Sequence, residues 1–99
     1  MGSYVRERDI EQYLRAEVKK AGGKAYKWES PGNDGVPDRI VIFPGNRIYF
    51  IELKAPGKKP RPLQLKKINE LLAFSCEVEV IDSRELVDEF VRRVIGYEI

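Results

Sequence analysis

Two hydrophobic periods alternate along this chain and divide it into seven elements. From about Val5 to Ala21, Ile10, Leu14 and Val18 recur at helical spacing with Tyr13 beside them, and Gly22-Gly23 is a strong stop. Lys24 to Glu29 switches to the polar/apolar alternation of a strand, followed by Ser30-Pro-Gly-Asn-Asp-Gly-Val-Pro37, a loop dense in turn residues. Asp38 to Phe43 and Arg47 to Leu53 are β-rich runs joined through Pro44-Gly45-Asn46 as a hairpin. Ala55 to Pro62 is a proline-rich second loop. A helix follows over about Leu63 to Phe74, with Leu65, Ile68, Leu71 and Leu72 as its main apolar positions. Glu77 to Ile81 reads as a strand, and Asp82-Ser83 caps a last helix carrying Leu86, Val87, Phe90, Val91 and Val94. The order αβββαβα predicts an α/β fold, a mixed sheet flanked by helices.

The hairpin register carries the chemistry. If Phe43 pairs with Arg47 across the three-residue turn, Asp38 stands opposite Glu52 and two carboxylates share one face. Like charges at about 5 Å destabilise a sheet unless something compensates, and a divalent cation with oxygen ligands does so. Lys54, two residues beyond Glu52, points to the same face. Ile40, Ile42, Ile48 and Phe50 share that face, so the carboxylates are expected to cap a buried apolar surface. Val41, Phe43, Tyr49, Ile51 and Leu53 form the other face, which predicts a sheet covered on both sides. Tyr26 and Trp28 share a strand face and read as core residues rather than base-stacking platforms.

Each of these residues also has an ordinary explanation. Asp38 is a common residue type where a loop enters a strand, and Lys54 with Glu52 can be a plain surface pair. An acid between Ile51 and Leu53, however, is rarely buried without a partner. Gln64 shares a helical stripe with Ile68, Leu71 and Leu72 and either caps the helix or reaches into the site. On the first helix both Glu11 and Glu7 flank the apolar stripe, and a solvated helix face explains either. Spacing does not choose between them.

Composition narrows the chemistry. At 99 residues, 42% hydrophobic and 34% charged, residues 1–99 are expected to form one soluble domain, without a signal-peptide apolar region and cytoplasmic. The complete absence of histidine removes Ser-His and Cys-His pairs and His-ligated metals, leaving hard cations such as Mg²⁺ or Mn²⁺ on oxygen ligands. The single Cys76 makes no internal disulfide and is expected to be a small core residue. The net charge of +2 is small, but Lys54, Lys58, Lys59, Arg61, Lys66 and Lys67 fall in one stretch free of acids; such a run is most often solvated surface, and a polyanionic substrate would give it purpose through phosphate contacts.

Asn33-Asp-Gly-Val-Pro-Asp38, fourteen residues ahead of Glu52-Leu-Lys54, then Gln64 opening a helix and a strand ending Ile81-Asp-Ser83, resembles the VRR-NUC (virus-type replication-repair) nucleases of the PD-(D/E)xK superfamily. The likeness covers nearly the whole chain and implies a restriction-endonuclease-like core. It implies that Asp38 and Glu52 ligate the metal with the backbone carbonyl of Leu53. Lys54 would orient or deprotonate the attacking water, Gln64 would support the site, and Glu11 would be the acid of the first helix. Lys58, Lys59, Arg61, Lys66 and Lys67 become the expected DNA contacts. Stand-alone members resemble Holliday-junction resolvases, which implies branched DNA as substrate and a homodimer. The alternatives are a flap or single-strand-end nuclease of the same superfamily, or a non-catalytic nucleic-acid-binding module. Arg39, where the family pattern has an apolar residue, and Ser75-Cys76, where it has a glycine, depart from the resemblance.

Overall fold

The computed structural model describes residues 4–96. Its elements are α1 (Glu7–Lys20), β1 (Lys24–Lys27), β2 (Arg39–Phe43), β3 (Arg47–Leu53), α2 (Pro62–Ala73), β4 (Glu77–Ile81) and α3 (Arg84–Gly96). The strands form one sheet in the order β1-β2-β3-β4, antiparallel except for the parallel pair β3 and β4, which α2 connects. This is the mixed sheet and αβββαβα order expected above.

Local chemistry accounts for the element ends. Gly22 takes a left-handed φ of 90°, its N–H donates to Lys19 O, and the Gly23 N–H donates to Val18 O, closing α1 in a Schellman motif. A side chain on Gly23 would collide with Ile42 O and the Phe43 ring, each 2.7 Å from the added carbon, so the turn also lets β1 dock on β2. At the start of α3, Ser83 Oγ accepts from the Leu86 N–H at 3.1 Å, the expected N-cap. The hairpin pairs Phe43 with Arg47 and runs in register to Arg39 with Ile51.

The core lies on one side of the sheet. Ile10, Leu14 and Val18 of α1 and Val87, Phe90, Val91 and Val94 of α3 pack with Val41, Phe43, Ile51, Leu53 and Ile81. Tyr13 ties the two helices together, its hydroxyl donating to Asp88 Oδ1 at 2.6 Å.

The opposite face differs from the sequence expectation. Ile42 and Ile48 are exposed there and Ile40 and Phe50 only half-buried, because α2 packs against β4 and leaves the hairpin end of the sheet open. Leu65 and Leu72 of α2 also face outward, leaving Ile68 as that helix's buried residue. Tyr26 is exposed with the Lys24 ammonium over its ring, since β1 is an edge strand, whereas Trp28 leans on Phe50 with ring centroids 5.2 Å apart. Cys76 is half-buried at the entry to β4 rather than in the core. Among the described residues no helix is long and apolar enough to cross a membrane.

Candidate active site

The site forms where the ends of β2 and β3 meet the start of α1 and the loop leading to α2. Asp38 sits one residue before β2, and continuation of the register sets it beside Glu52. The Trp28 N–H donates to Asp38 O at 2.9 Å, which carries the β1 ladder one step past the strand and holds the Asp38 backbone. The Leu53 N–H donates to Asp38 Oδ2 at 2.8 Å, fixing the side chain and leaving Oδ1 as its other acceptor. Leu53 buries its side chain in the core, so only its backbone faces the pocket.

Glu52 is 1% exposed, and neither of its carboxylate oxygens has a hydrogen-bond partner. Its nearest cation is Lys54, whose Nζ lies 3.5 Å from Oε2, an ionic contact too long for a strong hydrogen bond. Burial, with the Asp38 charge adding to it and Lys54 opposing, pushes the Glu52 carboxyl up to about 7. An orphaned buried carboxylate beside a second one is a set of hard oxygen donors and fits a Mg²⁺-like cation. No cluster of three or more His, Cys, Asp or Glu side chains able to enclose an ion occurs among the described residues. A cation here would therefore rest on few protein ligands, completed by water and substrate phosphate, the habit of Mg²⁺.

A pocket of about 430 Å³ gathers Glu7, Asp38, Glu52, Leu53 and Lys54 with Lys58, Lys59, Arg61 and Gln64. Gln64 combines the two roles that the sequence left open: its Oε1 accepts from the Arg61 N–H at 2.8 Å, capping α2, while the residue lines the pocket. Gly35, at φ 89°, brings the loop before Pro37-Asp38 against α2; an added side-chain carbon would stand 2.9 Å from Leu63 O. Lys66 is exposed on α2, and Lys67 lines a separate cleft with Trp28 and Val36, 4.0 Å from Glu70. Of the five expected DNA contacts, the structure brings three to the pocket.

Glu11 lies beside this pocket, in a depression shared with Glu7, Asp38 and Arg39, and its Oε2 is buried with no hydrogen-bond partner. Arg39 Nη2 lies 2.7 Å from Glu11 Oε2, Arg15 Nε is 3.7 Å away, and Glu11 does not line the pocket. The reason is strand alternation: Asp38 points to the Glu52 face, so Arg39, next in sequence, points to the α1 face and engages the acid there. The helix acid at the pocket is Glu7, one turn earlier. Its carboxyl is raised by burial and by Asp38 and lowered by Lys54, so it feels the same charges as Glu52. Alternation after Asp38 was a legible hint that Arg39 turns to the α1 face where Glu11 lies; the proximity of Glu7 required the tertiary placement of α1.

No protein-family model matches the sequence. A protein of Acyrthosiphon pisum secondary endosymbiont phage 1, described as "Putative nuclease p44", is 51% identical over 82 residues, which span 83% of this chain and 88% of the relative. A solved structure described as a VRR_NUC domain superposes with a TM-score of 0.83 at 29% identity, covering 89% of this chain and 96% of that one. With the sheet order, the paired carboxylates and the lysine already in place, these likenesses show that the chain belongs to the VRR-NUC family of nucleases.

Proposed function

We propose that this chain is a metal-dependent, structure-selective DNA endonuclease that hydrolyses phosphodiester bonds, takes four-way Holliday junctions as substrate and works as a homodimer. The observation that carries the metal-dependent reading is the buried Glu52 carboxylate, without a hydrogen-bond partner, beside Asp38 and Lys54. We place its work in the cytoplasm of a bacterial or phage-infected cell, where such DNA is accessible.

Asp38 through Oδ1, Glu52 and the Leu53 carbonyl would hold a Mg²⁺ or Mn²⁺ ion, with the α1 acid as a further ligand directly or through water. The bound cation supplies positive charge and lowers the pKa of a water at neutral pH. Lys54 orients the attacking water and adds a second positive charge as negative charge grows on the phosphate. Lys58, Lys59 and Arg61 line the same pocket and would seat the flanking phosphates. The water oxygen adds to phosphorus and one backbone P–O bond breaks, with no covalent enzyme intermediate. For the α1 acid the reading adopts Glu7, because Glu11 is engaged by Arg39.

Cleavage of labelled four-way junction, flap and linear duplex DNA with Mg²⁺ or Mn²⁺ tests the reading. Metal-dependent cutting should fall about 100-fold or more in Lys54→Ala. Equal cutting by the variant would overturn the site, and preference for flaps would replace the junction assignment. Glu7→Gln should weaken cleavage and raise the metal concentration needed for half-maximal rate. Glu11→Gln should mainly lower thermal stability; a larger activity loss in it than in Glu7→Gln would return the role to Glu11.

A further inference from the structure

Positively charged residues continue past the catalytic pocket in a direction that the cleavage chemistry does not use. Arg8, Gln12, Arg15 and Lys19 follow one another at intervals of four, three and four residues, so they form one stripe along α1, and all four are exposed. Because the Gly22-Gly23 turn folds β1 straight back beside α1, Lys24 lies at the far end of this stripe and Lys27 at the near end.

Two adjoining depressions fill the furrow between helix and strand. One, shared by Glu7, Arg8, Glu11, Lys27, Asp38 and Arg39, opens against the catalytic carboxylates. The other, of about 750 Å³, is lined by Gln12, Arg15, Ala16, Lys19, Lys24 and neighbouring small residues. Arg8, Arg15, Lys19, Lys24 and Lys27 thus border the furrow; its acids, Glu7, Glu11 and Asp38, all lie in the depression nearer the catalytic pocket, where Arg39 pairs with Glu11, and the larger depression has none. Lys27 touches Glu29 only as an exposed ion pair at 3.0 Å, which exchanges readily for phosphate, and the exposed Arg15 reaches Glu11 only at 3.7 Å.

We propose that this furrow is a second nucleic-acid contact, holding the sugar-phosphate backbone of a double-stranded arm of the substrate; the proposal rests on the nuclease reading. The larger depression offers no aromatic side chain on which a base would stack, Trp28 lining the other one, and its polar side chains are cations and one amide, which suits backbone rather than base contact. Its length matches a duplex. From Arg8 to Lys19 the helix rises roughly 16 Å, and at 3.4 Å per nucleotide along a strand that is about five base pairs, half a turn of DNA. A duplex leaving the catalytic pocket along α1 therefore meets Arg15, Lys19 and Lys24 at its next backbone crossing.

The test is DNA binding by fluorescence anisotropy across a salt series, in EDTA so that nothing is cut, using labelled four-way junction, linear duplex and single-stranded DNA. Arg15→Gln with Lys19→Gln and Lys24→Gln removes three charges at exposed positions while keeping polar, unbranched side chains, and the Lys19→Gln/Lys24→Gln double is a milder second version. On junction and duplex, the triple variant should weaken binding at least tenfold at 0.1 M salt. The log K against log salt slope should become shallower by about two to three, one per lost phosphate contact. Single-stranded DNA should bind both proteins alike. An unchanged slope, or an equal loss on single strands, overturns the furrow. Substituting Lys58, Lys59 and Arg61 in parallel, with cleavage by the unaltered chain, tests the nuclease reading separately. Wild-type chain that never cuts would sink that reading and this one with it, whereas cutting by a chain whose furrow variants keep the wild-type salt slope would sink the furrow alone.

Discussion

Burial holds the Glu52 carboxyl at about 7, far above its value in an unfolded chain, and the consequence is measurable without any substrate. The folded state binds a proton at Glu52 that the unfolded state has released, so between pH 4.5 and about 7 this residue makes stability fall as pH rises. Above pH 7 the fold carries an uncompensated carboxylate, a destabilisation on the order of 3 kcal/mol by linkage. Glu52→Gln should therefore raise the melting temperature at pH 8 in EDTA, with the gain shrinking as the pH is lowered towards 5. Adding Mg²⁺ or Mn²⁺ at pH 8 should stabilise the unaltered chain and leave the variant nearly unmoved. A variant less stable than wild type at pH 8 would show that Glu52 is satisfied by groups other than a cation. If Glu52 ligates the proposed cation, the same titration should make cleavage rise with pH through the neutral range, as the ligand loses its competing proton.

At the scale of elements, the two helices that flank the site end by the same geometry with different residues. Gly22 supplies the left-handed residue after α1. After α2 that position is Ser75, at φ 65°, with its N–H donating to Leu72 O and the Cys76 N–H donating to Leu71 O. The glycine missing from the family pattern is thus replaced by a strained serine that preserves the hydrogen bonds. Ser75→Gly should stabilise the fold by about 0.5–1 kcal/mol, the left-handed penalty less the added entropy of the unfolded chain. Chemical denaturation measures it, and a loss of stability would mean that Ser75 makes a compensating contact. Element types, their order and the hairpin register were readable because turn residues and the two hydrophobic periods agree at each boundary. The exposure of Leu65, Leu72 and Tyr26 was not, since periodicity marks an apolar stripe without saying how much of it a neighbour covers.

Across the whole molecule, one face of the sheet is sealed by α1 and α3 while the other is covered by α2 alone. Ile42 and Ile48, paired across β2 and β3, remain 39% and 42% exposed, and they offer apolar area to the proposed second copy. Light scattering on the eluting protein should give twice the chain mass at micromolar concentration, and Ile48→Glu should halve it while leaving the fold intact by circular dichroism. A monomer at that concentration would contradict the homodimer. An unaltered dimer in the variant would move the interface elsewhere. A two-fold dimer suits a four-way junction because paired cuts require two equivalent sites.

Sequence alone determined the element order, the opposition of Asp38 and Glu52, the position of Lys54 on their face and the oxygen-only donor set. Each follows from a short-range rule: turn chemistry sets register, alternation sets the face, and the absence of histidine limits the ligands. Only the tertiary structure decided that Glu52 lacks a hydrogen-bond donor, that Glu7 meets the pocket while Arg39 pairs with Glu11 beside it, and that basic residues of α1 and β1 line a furrow. Those depend on how helices lie across the sheet, and a helix's rotation and reach are set by packing among residues far apart in the chain, which no local period encodes.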